Sequence, residues 1–255
     1  MELAASLSES CSIELFEAQH RLLSRILPLS ISDRVAQRHQ QANVNIHTDA
    51  HIVDVQGHKD SVYLELSDTR KYEFDLVVMG VGAIPNTELA EDAGLVLANG
   101  IEVNEFLETT AESIYAIGDC CAFPLYTTGE VIRVESWRNA QEQGLHVAGQ
   151  IITGEKTQYT GIPWFWSDQY DLGIQMAGWP HSESLKIERI DGDKALIFEL
   201  DGQHRLIAVA GIGPGNSIAK DIKICERLIR QRVSLSVEQL NDSDIDLKQI
   251  LKSAG

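Results

Sequence analysis

The spacing of hydrophobic residues changes several times near the start of the chain, and each change predicts a new element. Leu3, Ala4 and Leu7 recur at helical spacing. The cap-type run from Ser30 to Asp33 indicates the start of a second helix. The predicted order is a helix at the start, a strand over Ser12 to Glu17, a helix over Arg34 to Ala42 and a strand over Val44 to His47. This order is typical of half of a βαβ unit.

Three short apolar runs follow, and they either alternate with polar residues or are rich in β-branched residues. They extend over His51 to Val55, Ser61 to Leu66 and Phe74 to Val81. Turn-forming residues separate them at 57–60 and 67–70. We therefore expect a small antiparallel meander.

The pattern predicts two further units in the rest of the chain. The first has a short helix over Thr87 to Ala93, strands over Ile101 to Val103 and Ser113 to Ile117, and a longer helix over Ser136 to Ile152. The second begins near Ile162 and contains the aromatic run Trp164-Phe165-Trp166, three more strand-like runs that end with Ile207 to Ile212, and a closing helix over Asn216 to Arg232. We therefore divide the chain into residues 1–86, 87–161 and 162–255.

Charge and hydropathy narrow the class of protein. Acidic side chains outnumber basic ones by 38 to 21, which gives a formal net charge of −17. Nucleic acid and anionic membranes need basic counter-charge, so we expect neither as a partner. The longest apolar stretch, from Leu76 to Ile84, is far shorter than the roughly 18 residues of a membrane span. The start, Met1-Glu2, lacks the basic residues of a secretory signal, which predicts a cytoplasmic protein.

The cysteines give no framework for disulfides or zinc. There are four of them, none in a Cys-x-x-Cys pair: Cys11, Cys120, Cys121 and Cys225. We expect reduced thiols and no metal site. The adjacent Cys120 and Cys121 could indicate a redox switch, but packed thiols are the more common case.

One local motif suggests a ligand site. The apolar run from Ser113 to Ile117 is followed directly by Gly118 and Asp119. Glycine allows a ligand to approach the backbone closely, and a carboxylate at the carboxyl end of a strand can accept hydrogen bonds from polyol hydroxyls. Taken alone, this pair is most often an ordinary turn, so its meaning depends on the motifs around it.

Four motifs in order carry a resemblance to a known family. They are Gly-Val-Gly-Ala-Ile-Pro-Asn-Thr at 80–87, the Gly-Asp segment at 113–119, Val-Glu-Ser-Trp-Arg-Asn-Ala-Gln at 134–141 and Pro-Trp-Phe-Trp-Ser-Asp-Gln at 163–169. Over almost its whole length the chain resembles the flavin-dependent NADH:ferredoxin reductases of oxygenase systems, within the two-dinucleotide-domain flavoprotein superfamily. The resemblance implies an α/β fold with incomplete dinucleotide-binding domains. Residues 1–86 would belong to the NAD-binding domain, 87–161 to the FAD-binding domain, and 162–255 to a C-terminal α+β reductase domain.

The resemblance also implies which residues lie near FAD. Gly118 and Asp119 match the turn whose carboxylate binds the ribityl and pyrophosphate part of FAD, and Glu135, Ser136 and Trp137 match a segment near the flavin and the nicotinamide. Trp164 and Trp166 match a segment beside the flavin ring. Tryptophans are usually buried, so simple core packing is the alternative for these two.

Four further positions match the NAD side of the family. Glu17 matches the acid that binds the adenosine ribose hydroxyls, which favours NADH over its 2′-phosphorylated relative. Glu2 matches an acidic position that faces the nicotinamide end, and Gly80 and Gly82 match backbone that lies close to NAD. In such a reductase electrons pass from NADH through FAD to a ferredoxin, and no side chain need act as a catalytic acid or base.

The sequence departs from the family pattern in one respect. The family carries two Gly-x-Gly-x-x-Gly loops for the pyrophosphates of FAD and NAD, and neither is present. We therefore expect an N-terminally truncated chain that binds FAD poorly and is inactive alone. The alternatives are a non-catalytic remnant or interaction module, or an NADH oxidase or rubredoxin reductase of the same superfamily. A disulfide reductase fits less well, because neither His181 nor His204 matches its C-terminal thiol chemistry.

A basic stripe offers a place for the electron acceptor. Lys220, Lys223, Arg227 and Arg230 recur at helical spacing in a very acidic chain. Such a face can attract an acidic iron–sulfur ferredoxin. An ordinary solvated helix face is the alternative.

Overall fold

The computed structural model describes residues 1–253 of the chain. The helices are α1 (Glu2–Leu7), α2 (Leu29–Gln41), α3 (Glu88–Asp92), α4 (Trp137–Thr153), α5 (Ala219–Gln231), α6 (Val237–Asn241) and α7 (Leu247–Ser253). The strands are β1 (Ile13–Phe16), β2 (Val44–His47), β3 (Ile52–Gly57), β4 (Val62–Leu66), β5 (Lys71–Phe74), β6 (Leu97–Ala98), β7 (Gly100–Glu102), β8 (Cys121–Pro124), β9 (Val131–Arg133), β10 (Trp164–Gln169), β11 (Leu172–Gly178), β12 (Leu185–Asp191), β13 (Lys194–Leu200) and β14 (Leu206–Pro214).

Two compact units divide the described chain. The first contains Met1–Ala83 and the hairpin tip Asp168–Leu172, and the second contains the remaining residues. In the first unit, β1 pairs with β2 and the strands β3-β4-β5 form a separate sheet. The second unit has a four-stranded sheet in the order β6-β7-β8-β9 and a five-stranded sheet in the order β10-β11-β14-β13-β12. The three-part division at residues 86 and 161 stays a prediction.

The early α/β segment and the meander are confirmed. Strands β1 and β2 run parallel with α2 between them in the chain, as a βαβ-type connection requires. Strands β3, β4 and β5 pair antiparallel in sequence order. A small core of Ala50, Leu64 and Leu66, with Phe16 packed against it, joins β1 to the meander.

Helix α2 begins earlier than the predicted Arg34. It starts at Leu29, and Pro28 is its N-cap. The cap-type run at 30–33 lies inside the helix, where the hydroxyl of Ser32 donates to the backbone oxygen of Leu22 at 2.6 Å. The helix extends to Leu29 because Ile31 belongs to the same fully buried face as later apolar residues of the helix. Tertiary packing thus outweighs the capping preference of Ser and Asp.

The third predicted strand of the meander is wrong in position. Strand β5 covers Lys71–Phe74 instead of Phe74 to Val81. Phe74 pairs with Val62, which is the first residue of β4, so residues beyond Phe74 have no β4 backbone left to pair with. Most of the apolar side chains that follow are exposed, with Val81 at 85% and Ile84 at 91%. An apolar run predicts a strand only where a neighbouring strand is present.

The predicted strand from Ser113 to Ile117 does not form either. Only an isolated bridge joins Tyr115 to Glu108. The first residue of this segment, Ser113, has a left-handed conformation with φ of 63°. The run before Gly118 is therefore an extended loop segment held by single contacts, such as the bond from Ala116 N to Leu107 O at 3.3 Å.

The five-stranded sheet and α5 enclose the largest core. Phe198, Val209, Ile222 and Leu228 lie fully buried in one cluster. Four strands follow β10 where the sequence predicted three, and α5 spans Ala219–Gln231, within the predicted limits of Asn216 and Arg232.

Two short helices, α6 and α7, were not predicted. Arg189 is buried and donates to the backbone oxygens of Gln239 and Leu240, both at 2.6 Å, and of Ile245 at 3.0 Å. These bonds tie α6 to β12. Among residues 1–253, no helix is both long enough and apolar enough to span a membrane.

A buried histidine holds the hairpin tip in the first unit. His39 of α2 is 0% exposed, and its Nε2 lies 2.8 Å from Oε1 of Gln169. The hydroxyl of Tyr170 lies 3.1 Å from its Nδ1, and Arg38 forms an ion pair with Asp171 at 2.7 Å. The amide oxygen can only accept a hydrogen bond, so Nε2 carries the proton. Burial favours the neutral imidazole, in which Nδ1 accepts the bond from the hydroxyl of Tyr170.

We expect this histidine to make stability depend on pH. Burial lowers the pKa of His39, and the nearby Arg38 lowers it further, although the hydrogen bond with Gln169 opposes the change. Below an unfolded pKa of about 6.5 the unfolded chain takes up a proton that the folded chain does not. The free energy of unfolding should therefore fall with pH from about 6.5 downward, by at most about 1.4 kcal/mol per pH unit. His39→Gln should remove this part of the pH dependence.

The measurement is urea unfolding of the chain at pH 7.5 and 5.5. His20→Gln, at an exposed histidine, is the matched control and should leave the dependence unchanged. Equal pH dependence in wild type and His39→Gln would contradict the prediction.

Candidate functional site

The Gly-Asp pair forms a tight turn at the start of a short 3₁₀ segment, Gly118–Cys120. Gly118 is buried with φ of +75°, a conformation that favours glycine. Its backbone N–H donates to Oε1 of Gln143 at 2.7 Å. A Cβ added at Gly118 would meet only Ala140, at 3.4 Å. The backbone is therefore held in a left-handed turn by α4.

Asp119 presents its carboxylate outward from this turn. The residue is exposed, and its side chain makes no hydrogen bond or ion pair with any other residue in 1–253. Its backbone oxygen accepts a bond from Nη1 of Arg133 at 2.9 Å. The same nitrogen forms an ion pair with Oε1 of Glu135 at 2.8 Å. Arg133 thus brings two of the predicted site residues together, leaving the Asp119 carboxylate available as an acceptor.

The polar face of α4 was missed by sequence reasoning. Asn139, Gln143 and Gln150 are buried, although such residues usually face water. Nδ2 of Asn139 and Nε2 of Gln143 are buried without a hydrogen-bond partner among the described residues. The signal was present in the sequence, because Gln143 lies on the same helical face as the buried Val147.

The three predicted tryptophans lie together in the second unit. Trp164 and Trp166 stack with ring centroids 5.0 Å apart and an interplanar angle of 17°. Trp137, the first residue of α4, meets Trp166 edge-on at 6.0 Å and 89°. Trp137 is 62% exposed, and Trp164 packs partly against the main core. Ser136 is the N-cap of α4, and its side chain makes no capping bond.

The positions predicted for NAD lie in the first unit. Glu17 follows β1 directly, and its N–H donates to the backbone oxygen of His47 at 2.8 Å. Its Oε1 accepts a bond from the N–H of Gln19 at 2.8 Å, so the carboxylate is held at the carboxyl end of the strand. Glu2 opens α1 and is exposed. Gly80 and Gly82 lie in an exposed segment, with no atom within 4 Å of an added Cβ.

Cys121 is a buried free thiol directly after the Gly118–Cys120 turn. Burial raises the pKa of Cys121 to about 12, and the neighbouring Cys120 adds to the effect, so this thiol stays protonated near neutral pH. All four cysteines are free. Within residues 1–253, no cluster of three or more His, Cys, Asp or Glu side chains could hold a metal ion.

Comparison with known proteins assigns this arrangement to a family. The family model described as pyridine nucleotide-disulphide oxidoreductase matches residues 1–144. The chain belongs to this family. A second model, described as reductase C-terminal, matches residues 164–251 of this pyridine nucleotide-disulphide oxidoreductase. The two matches contain the Gly118–Asp119 turn and the tryptophan cluster, so the predicted resemblance and the α/β fold class are confirmed.

Individual relatives point to one branch of the pyridine nucleotide-disulphide oxidoreductases. Rhodocoxin reductase of Rhodococcus erythropolis is 32% identical over 96% of this chain and 57% of its own. The ferredoxin reductase for the CYP199A2 system from Rhodopseudomonas palustris superimposes with a TM-score of 0.87 at 33% identity, over 99% of this chain and 61% of its own. The reductase in a covalent putidaredoxin reductase–putidaredoxin complex gives a TM-score of 0.89 at 30% identity, over 99% and 60%. The chain thus spans about three fifths of each relative.

Proposed function

We propose that this chain carries the electron-transfer part of an NADH-dependent, FAD-containing ferredoxin reductase of an oxygenase system. The observation that carries the proposal is the outward-facing Asp119 carboxylate on a left-handed glycine turn, in the same unit as a cluster of three tryptophans. The relatives named as reductases of redox partners such as rhodocoxin support it.

The residues of the second unit fit one side of FAD. An exposed carboxylate without an internal partner can accept hydrogen bonds from ribityl hydroxyls. Gly118 allows the left-handed turn that presents this carboxylate. The stacked indoles of Trp164 and Trp166 offer an aromatic wall for a planar ring, and Glu135, Ser136 and Trp137 would border it. Bound FAD would supply the chemistry that accepts a hydride and releases single electrons.

These residues include no phosphate-binding loop for the pyrophosphate of FAD. The 255 residues contain no Gly-x-Gly-x-x-Gly loop, whose backbone N–H groups bind such phosphates. We therefore expect the chain alone to bind FAD weakly.

On the NAD side, Glu17 is the central residue. One carboxylate oxygen is bonded to the N–H of Gln19, which orients the group while the second oxygen can accept from ribose hydroxyls. A fixed negative charge repels a 2′-phosphate, which supports a preference for NADH. Gly80 and Gly82 leave room for close approach of the dinucleotide, and Glu2 lies at the N-terminal end of α1.

Helix α5 offers the docking face for an acidic ferredoxin. Lys220, Lys223 and Arg227 are exposed and form no ion pair with another residue in 1–253, whereas Arg230 pairs with Glu226 at 3.5 Å. Unpaired cations on one helix face steer an acidic partner by long-range attraction. The chain as a whole has 38 acidic and 21 basic residues, so a helix face that carries these basic side chains differs in charge from the rest of the protein.

The test uses the chain joined to the remainder of rhodocoxin reductase, which provides the part that this chain does not match. We expect the fusion to hold FAD and to reduce an iron–sulfur ferredoxin with NADH. The double substitution Lys223→Glu with Arg227→Glu should lower kcat/KM for ferredoxin by roughly 10-fold or more at low salt. The rate with ferricyanide, which needs no docking face, should not change.

The matched control is Lys248→Glu with Lys252→Glu on α7, which makes the same change in net charge at exposed positions. Ferredoxin reduction that is insensitive both to salt and to the α5 substitutions would overturn the docking face. A fusion that holds FAD and oxidises NADH but reduces no ferredoxin would overturn the proposed function.

A further inference from the structure

Arg138 joins the tryptophan pair to the proposed docking helix. It follows Trp137 on α4, and its guanidinium carbon lies 5.3 Å from the ring centroid of Trp164, within the range of a cation–π contact. The stacked partner of Trp164 is Trp166, two residues on along β10. Residues two apart on a strand share one face of the sheet, so the two indoles stand side by side.

Two carboxylates hold the plane of this guanidinium. Nη2 of Arg138 donates to Oε1 of Glu226 at 2.6 Å, and Nε donates to Oε1 of Glu142 at 2.8 Å. The Arg138 and Glu226 side chains are only 24% and 14% exposed. Charge-assisted bonds in the rigid fork of arginine fix both position and orientation, which a lysine could not reproduce.

The guanidinium of Arg138 stays protonated over the pH range of ordinary assays. Burial lowers its pKa, but the hydrogen bonds with Glu226 and Glu142 outweigh this effect, and the pKa lies above the ordinary value. Three elements therefore meet at one permanently charged side chain: α4 carries it, α5 holds it through Glu226, and β10 presents Trp164 beneath it.

We propose that Arg138 is a positioning residue, which sets the orientation of the Trp164–Trp166 pair through its bonds with Glu226 and Glu142. The carboxylates fix the guanidinium plane, the guanidinium fixes the Trp164 ring, and Trp164 fixes Trp166 by stacking. Glu226 also pairs with Arg230, so the same network reaches the basic stripe of α5. The consequence for electron transfer rests on the proposed function; the orienting role does not.

The orienting role is tested on the chain itself by circular dichroism, because two stacked indoles give an exciton couplet that depends on their mutual angle. Arg138→Gln should lower the couplet amplitude at least twofold, and Trp166→Phe should abolish it. Arg138→Lys keeps the charge but not the fork, and should give an intermediate amplitude. Arg205→Gln is the matched control, because Arg205 is similarly exposed (27%) and pairs with Asp201 but has no cation–π contact with a tryptophan among the described residues.

Each outcome decides the proposal. An unchanged couplet in folded Arg138→Gln overturns it, whatever the activity. If that variant does not fold, Glu226→Gln, which keeps the size of the side chain, takes its place, and an unchanged couplet there is equally decisive. The same Arg138→Gln substitution is also made in the rhodocoxin reductase fusion. A reduced couplet there supports the orienting role. If ferredoxin reduction is nevertheless unchanged, the result contradicts the place of the tryptophan pair in the proposed flavin site.

Discussion

Replacing Asp119 with alanine is expected to lower the affinity of the FAD-holding fusion for FAD by roughly 10- to 100-fold, because a charged acceptor contributes about 1.5–3 kcal/mol per hydrogen bond. The stability of the protein should hardly change, since the Asp119 side chain is exposed and makes no bond within residues 1–253. Surface substitutions of this kind usually stay within about 0.5 kcal/mol. Loss of affinity without loss of stability is the signature of a ligand contact.

The measurement is titration of the apo fusion with FAD, followed by flavin fluorescence, together with urea unfolding. Asp119→Asn should keep part of the affinity, because the amide oxygen still accepts a bond. Glu112→Ala removes another exposed carboxylate from the same segment and should leave FAD binding unchanged. An Asp119→Ala fusion with wild-type affinity would remove Asp119 from the site.

The largest effect on stability is expected at Gly178. This last residue of β11 has φ of +87°, and an added Cβ would lie 2.0 Å from the backbone oxygen of Ile207 and 2.8 Å from Cα of Ala208. Both atoms belong to β14, the sheet neighbour of β11, so relief of the clash would separate two central strands. Gly178→Ala should therefore lower the free energy of unfolding by more than about 3 kcal/mol.

Urea unfolding followed by tryptophan fluorescence measures this loss. Gly149→Ala is the matched control, because Gly149 lies exposed in α4 with no atom within 4 Å of an added Cβ. Alanine favours the helix there, so this variant should gain up to about 1 kcal/mol. A Gly178→Ala chain within about 1 kcal/mol of wild type would contradict the close approach of β11 and β14.

The fold was predicted well where neighbouring residues decide the structure. Helix α4, Trp137–Thr153, matches the predicted span of Ser136 to Ile152 almost completely. Its start and its apolar spacing depend only on residues that are close together in the sequence. The turn at Gly118 was found for the same reason, since a glycine followed by an acid after an apolar run is a local signal. The strand predicted before it failed, because a strand exists only through a partner, and Tyr115 meets no more than a single bridge with Glu108.

By itself, the sequence determined the family, the early α/β segment with its meander, and the span of α4. Only the tertiary structure decided which distant partners hold individual residues. Gly118 is held by Gln143, 25 residues away, and Arg138 is held by Glu226, 88 residues away. His39 meets Gln169 across 130 residues. Periodicity reports how a segment is arranged along its own axis, whereas these partners meet only after the chain has folded.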